Sequence, residues 1–283
     1  MRLTILQTSL AWENPTANRE MFFQKLVPLR GTTDLVLLPE MFTTGFSMNA
    51  AALAEPMDGP TLQWLARTAE TLDAALAGSF ICRENGHFYN RLVFMRPDGR
   101  FETYDKRHLF TLAGEHDHFT PGNQQLVVEW QGWRIRPLVC YDLRFPVWSR
   151  NMASSVAPLP ASPEKPRATP PLPVGEGPGG GSYDLLLYVA NWPSRRAHHW
   201  RSLLTARAIE NQAYTAGVNI VGADGSGLEY VGDSAVIDFS GQSLAQISGQ
   251  EGFHTAKLSL DDLRLYRRQL PFLNDADVFQ LCG

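Results

Sequence analysis

Two stretches of this chain carry apolar residues almost without interruption. They are Leu35-Val36-Leu37-Leu38-Pro39 and the run from Tyr183 to Ala190, YDLLLYVA. Neither shows the polar alternation of a strand with one wet face, so both read as strands covered on both sides. Further strands are predicted over 3–7, 75–83, 89–96, 132–140, 218–223, 234–239 and 253–258. Between them run helical patterns. Met21, Phe22, Leu26 and Leu29 mark a helix over 18–29, and Leu62, Leu65, Ala69 and Leu72 mark one over 61–72. A third is predicted over 199–214, with Trp200, Leu203, Leu204, Ala208 and Ile209 as its buried face. Intermixed helices and buried strands indicate an α/β layered fold.

One stretch does not fit. Residues 152–182 hold eight of the nineteen prolines and no aromatic residue. Such a stretch buries too little apolar surface to offset its ordering entropy. The elements on either side read as consecutive parts of one sheet. The chain is therefore expected to be one domain, 1–283, interrupted by a disordered Pro/Gly-rich insertion at 152–182. A net charge of −4 gives no basic footprint for nucleic acid, and no apolar run approaches a membrane span. The N-terminus reads as a first strand, without the longer apolar region and cleavage site of a signal peptide. Three scattered cysteines, Cys82, Cys140 and Cys282, argue against a disulfide framework and suit a reducing cytoplasm.

Three chemically complementary side chains follow three of the strand signals: Glu40 after 35–39, Lys106 after 99–104 and Cys140 after 136–139. Sites gather at strand carboxyl ends in open α/β sheets. Alone, each residue has a bland reading: a solvated carboxylate, a surface lysine, a core cysteine. Together they supply a nucleophile, a cation that favours its thiolate, and a carboxylate that takes a proton and returns it to a leaving group. The backbone N–H of Tyr141 and the lysine can face an oxyanion. That set describes acyl transfer without histidine.

The ordered strings LPEMFTTGF, YNRLVFM, YDKRHLF, CYDLRFP, and YVANWP followed by RAIENQAY resemble the nitrilase superfamily, and within it the omega-amidase branch. The resemblance spans nearly the whole chain outside 152–182. It implies a four-layer α-β-β-α sandwich, a Glu40-Lys106-Cys140 triad and a cysteine thioester intermediate. It implies a homodimer and no metal or organic cofactor. The family's second glutamate falls on Glu115, in AGEHDHFTPG, and is expected near Lys106 or the substrate. The implied reaction is hydrolysis of the terminal amide of small 2-oxo dicarboxylic acid monoamides, such as 2-oxoglutaramate, to the acid and ammonia. Arg144 is the nearest cation for the substrate carboxylate; its bland alternative is an ion pair with Asp142. Phe46 stands where some relatives carry tyrosine, and Asn191 and Trp192 are expected to line the pocket.

Other readings compete. Deaminated glutathione or a carbamoyl amine would use the same triad, and the insertion offers a route to a catalytically impaired relative. His108, His116 and His118, with the pair His198-His199, raise a zinc hydrolase, although their spacing matches no compact ligand motif. A Cys-His dyad lacks a histidine placed by sequence.

Overall fold

The computed structural model describes residues 1–151 and 182–277. The stretch read as an insertion, apart from Ser182, lies outside the described residues, as does Cys282. Among the described residues thirteen strands form two sheets. The first contains β1 (Arg2–Gln7), β2 (Leu35–Leu37), β3 (Ala75–Glu84), β4 (His87–Met95) and β5 (Phe101–Asp105). The second contains β6 (Val128–Trp130), β7 (Trp133–Val139), β8 (Leu185–Val189), β9 (Tyr214–Val218), β10 (Val221–Ala223), β11 (Glu229–Ile237) and β12 (Ser243–Ser248). The chain then returns to the first sheet with β13 (Gly252–Lys257), antiparallel to β1. Both sheets are mixed. β1, β2 and β3 run parallel, as do β7, β8 and β9, with antiparallel partners at the flanks.

The apolar runs occupy the layers they demand. Leu3, Ile5, Leu35, Leu37, Ala75 and Ala77 meet residues of the second sheet, including Ile135, Leu185 and Leu187, in one inter-sheet core. Leu6, Val36, Leu38 and Leu76 face the other way, onto helices α1 (Pro15–Leu26) and α2 (Pro60–Leu72) through Phe22, Leu26, Leu65, Ala69 and Leu72. Helix α3 (Ala197–Asn211) covers the second sheet with Trp200, Leu204 and Ala208. The result is the α-β-β-α sandwich expected. Each Val or Leu fully buried this way contributes about 1.5–3 kcal/mol. The contact of α3 with β9 is close enough to need glycine: a Cβ on Gly217 would stand 2.7 Å from both Leu204 and Trp200.

The sequence reading departs from the structure mainly around α3. The helix stops at Asn211, not Tyr214, because Gln212 turns left-handed at φ 43° and caps the carbonyls of Ala208 and Ile209. Tyr214 instead opens β9 and packs edge-on against Trp133 and Phe239, 5.7 and 5.2 Å away. Ile209, expected inside, is half exposed, while Arg207 is buried. The Arg207 guanidinium donates to the Leu143 carbonyl at 2.6 Å and to Glu210 at 2.9 Å, so a charged residue takes the inward position. The strand expected over 218–223 is broken by Asn219, whose side chain bonds Trp192, Ile220 and Gly232. β12 and helix α4 (Leu260–Gln269) were not anticipated. The basic C-terminal segment docks on the domain: Arg267 of α4 bonds the carbonyls of Gln212 and Tyr183 and the Asp184 carboxylate.

The residues that flank the proline-rich stretch are clamped to each other. Asn151 Nδ2 donates to the Tyr183 carbonyl and its Oδ1 accepts from the Tyr183 N–H, both at 3.0 Å. These residues precede β8, whereas Cys140 follows the parallel β7. The length of β8, roughly 16 Å, separates them from the catalytic end. Deleting residues 152–182 and rejoining the ends with a short loop should leave the activity that the resemblance implies within about tenfold, since loop length costs little closure entropy. A folded deletion protein with no activity would assign the segment a functional role.

Candidate active site

Glu40 follows β2 in a turn that places it wholly inside the protein. Its Oε1 accepts from Lys106 Nζ at 2.9 Å and from Asn90 Nδ2 at 2.8 Å, and its Oε2 accepts from the Asn191 N–H at 2.9 Å. Asn191 Nδ2 donates to the Glu40 backbone carbonyl at 2.6 Å, so Asn191 holds both the carboxylate and the main chain of Glu40. Lys106 follows β5, anchored by its N–H to the Asn90 carbonyl. Its ammonium also donates to both oxygens of Glu115, at 3.0 and 2.9 Å. Glu115 is fully buried, not an exposed loop carboxylate, and takes a further 2.6 Å bond from the Phe110 N–H. Burial raises its proton affinity, with Lys106 opposing. Burial opposes the Lys106 charge too, but the two carboxylates win and hold its pKa above the ordinary value.

Cys140 begins the short turn Cys140–Arg144 after β7. Its φ of 44° lies in the left-handed region, where a side chain costs about 1–2 kcal/mol. Asp142 braces this turn. Its Oδ2 accepts from the Val139 N–H at 3.1 Å and the Tyr104 hydroxyl at 2.7 Å. Its Oδ1 accepts from the His108 N–H at 3.0 Å and contacts His108 Nδ1 at 2.7 Å. Tyr104 and His108 flank Lys106 by two residues on each side. One buried carboxylate therefore ties the lysine segment to the cysteine turn. The alternative pairing of Asp142 with Arg144 does not occur, because both oxygens of Asp142 are engaged elsewhere.

The Cys140 thiol is buried and lies within hydrogen-bonding reach of Glu40. Burial and the Glu40 charge push it well above its ordinary value of 9.0, and Lys106 pulls down only in part. The lysine is directed at two carboxylates, so the expectation that it stabilises a resting thiolate gives way to a neutral thiol that needs a base at the moment of attack. Because the pKa is raised, the thiol form prevails at neutral pH. The ultraviolet thiolate absorbance of Cys140, taken as wild type minus Cys140→Ala, should be absent at pH 8 and appear only above pH 9.0. Thiolate absorbance already present near neutrality would contradict this ordering of charges.

The thiol opens into a cavity of about 670 Å³ lined by Phe46, Tyr141, Arg144, Asn191 and Trp192, as the sequence reading expects of these residues. The Phe46 ring lies 5.1 Å from Lys106 Nζ. Tyr141 packs edge-on between Phe110 and Phe145. The Arg144 guanidinium lies over the Trp192 ring at 4.7 Å, and its Nη2 is 3.1 Å from His199 Nδ1. Of the histidines considered as metal ligands, His108 is engaged by Asp142 and stacked on Phe145 at 3.7 Å, and His116 contacts Asp117. Among the described residues no three His, Cys, Asp or Glu side chains converge as a metal site.

Sequence reasoning gave no role to Asn90, although it quoted the string that contains it. It also passed over Arg196 and Tyr230 of the cavity wall.

A family model described as carbon-nitrogen hydrolase matches residues 10–268. The chain is 44% identical over 282 residues to omega-amidase YafV of Escherichia coli K12, covering 99% of this chain and 98% of that protein. It is 31% identical over 280 residues to the 2-oxoglutaramate amidase of Bacillus subtilis, covering 96% of each. Among solved structures it resembles XC1258 of Xanthomonas campestris, a CN-hydrolase superfamily protein with an arsenic adduct in its active site. The TM-score is 0.89 at 46% identity, with 100% of this chain and 99% of that chain covered.

Proposed function

The chain belongs to the carbon-nitrogen hydrolase family, an enzyme acting on carbon–nitrogen bonds other than peptide bonds, and from that premise we propose that it hydrolyses the terminal amide of small 2-oxo dicarboxylic acid monoamides such as 2-oxoglutaramate. The observation that carries this reading is the electrical polarity of the cavity. Its inner end presents a thiol beside Glu40, Glu115 and Lys106, and its wall presents Arg144, Arg195 and Arg196. A neutral amide suits the first end and a carboxylate suits the second.

The mechanism follows from the geometry. Cys140 Sγ attacks the amide carbonyl carbon as its proton passes to Glu40. The oxyanion so formed is held by Lys106 and the Tyr141 N–H, which stands in the first turn after β7, where an N–H has no partner within the turn. Glu40 delivers the proton to the amide nitrogen, the carbon–nitrogen bond breaks, and ammonia leaves a thioester on Cys140. Water then loses a proton to Glu40 and attacks the thioester carbonyl. Collapse of that intermediate releases the acid, and the proton returns from Glu40 to the thiolate. Glu115 and Asn90 position Lys106 and Glu40 and do not touch the reacting carbon. Phe46, Asn191 and Trp192 form the wall, and a phenylalanine at 46 leaves that wall without a hydroxyl contact.

A panel of amides with ammonia detection tests this reading. The expected result is highest kcat/KM for short omega-amides with a carboxylate at the other end, with 2-oxo acids leading. A higher value for a deaminated glutathione amide or a carbamoyl amine would reassign the substrate within the family. The same proposal includes a homodimer in the cytoplasm. Val147 and Ile209, both about half exposed on helices beside the cysteine turn, supply apolar surface for a second copy. Among the described residues Cys82 and Cys140 form no disulfide, as suits a reducing compartment. Sedimentation analysis of purified protein checks the dimer.

A further inference from the structure

The three arginines of the cavity wall are not equivalent. Arg144 lies on the Trp192 ring and shares a hydrogen bond with His199. Arg195 is exposed to solvent. Arg196 is half buried, and its guanidinium lies over the Phe110 ring, 5.2 Å from the centroid. Its backbone is pinned, since the Trp192 indole N–H donates to the Arg196 carbonyl at 2.9 Å. The same Phe110 gives its N–H to Glu115, so the ring under Arg196 is fixed to the catalytic cluster.

No described carboxylate lies within the 4.0 Å of an ion pair from Arg196. The acids that share the cavity are engaged elsewhere. Glu13 accepts from Ser47 at 2.5 Å and contacts Asn49 at 3.4 Å, and Asp224 accepts from Ser226, Leu228 and Tyr230. Desolvation, then the like charges of Arg195 and Arg144, weigh on the Arg196 cation, which lines the same cavity as Cys140 and Tyr230. A partly desolvated guanidinium over an aromatic ring, with no anion beside it among the described residues, is an incomplete fork.

We propose that Arg196 is the specificity-determining residue of this pocket, binding the carboxylate at the far end of an omega-amide substrate through its guanidinium. The inference rests on the amidase reading and deepens it. It also sets orientation. A carboxylate at the inner end would face Glu40 and Glu115 with one ammonium between them, so the anionic end points to Arg196 and the neutral amide to Cys140. Hydrolysis turns that amide into a carboxylate beside the two glutamates, and repulsion there favours release of the dicarboxylate product.

The test compares succinamate with butyramide, which replaces the carboxylate by a methyl group. Calorimetric binding is measured on Cys140→Ala protein with and without Arg196→Met, a change that keeps an unbranched side chain over Phe110. Loss of a charge-assisted pair should weaken succinamate by about tenfold to a hundredfold and leave butyramide within about twofold. Arg196→Lys should recover part of the loss, because it keeps the charge and loses the fork. In turnover, Arg196→Met should raise KM for succinamate with kcat largely kept. Unchanged succinamate binding, or equal weakening of both ligands, would overturn the assignment. Preferential succinamate binding that depends on Arg196, without hydrolysis by the wild type, would remove the amidase reading and leave this one standing. Hydrolysis of both amides with equal KM would do the reverse.

Discussion

Cys140→Ala is expected to leave a folded protein that releases no ammonia from an omega-amide, because no other described side chain of the cavity combines a nucleophilic atom with contact to Glu40. The more informative companion is Cys140→Gly. At an ordinary position glycine costs about 0.5–1 kcal/mol relative to alanine through the entropy of the unfolded chain. At Cys140 the backbone is left-handed, with φ at 44°. Cysteine and alanine both bear the resulting strain of about 1–2 kcal/mol, and glycine does not. Both variants should be inactive, and the glycine variant should be at least as stable as the alanine variant in urea unfolding. An alanine variant more stable by the full ordinary margin would show that the turn is not strained. Turnover comparable to wild type in folded Cys140→Ala would remove the cysteine from the mechanism. The left-handed residue begins the turn Cys140–Arg144 at the end of β7, and both Cys140 and Tyr141 line the cavity from that turn.

Glu40 and Cys140 were legible in the sequence because each directly follows an apolar run, and Lys106 because it stands just past the end of the run 99–104. Glu40 follows β2 in the first sheet and Cys140 follows β7 in the second, so the two sheets each bring one of the pair to the cluster around Lys106. Glu115 was legible only through resemblance, since it stands in the one-turn helix Glu115–His118 and not at a strand end. Asn90 is a different case. It lies on β4, antiparallel to β5, and reaches Glu40 and Glu115 only because the pairing sets Arg91 opposite Asp105, next to Lys106. No local pattern encodes that register. Asp142 could be read as a partner for Arg144 because they are neighbours in sequence, yet two of its donors, Tyr104 and His108, lie more than thirty residues away. The end of α3 was misjudged for a local reason: Gln212 adopts a conformation that glycine or asparagine usually announces. Arg196 carried no local signal, because what distinguishes it is Phe110, far away in sequence, beneath its guanidinium.

Lys106→Met should be the most destabilising change in the site and should lower kcat by at least the 10²–10³ or so typical of removing an oxyanion donor. The side chains of Lys106, Glu40 and Glu115 are all fully buried, and the ammonium bonds both acids. Removing one partner of a buried ionic cluster leaves charge without compensation, at about 3–5 kcal/mol. The penalty should depend on pH with a definite sign. Burial already raises Glu115 above its ordinary 4.5, and Lys106 is the group that opposes the rise. Without it the folded-state pKa climbs further above the unfolded value. A carboxyl shifted upward contributes stability that is complete below the unfolded pKa and is lost as pH rises through the folded one. The deficit of Lys106→Met relative to wild type should therefore be largest near pH 8 and shrink towards pH 5. Adding Glu115→Gln removes one of the stranded charges. The double variant should regain part of the stability at pH 8, a non-additivity of about 1–3 kcal/mol, while remaining inactive. Additive losses in the double variant, or a deficit independent of pH, would mean that the lysine contributes packing and not charge compensation. Recovery of stability without activity would separate the two duties of Lys106: neutralising a pair of buried acids in the resting protein, and meeting the oxyanion during the reaction.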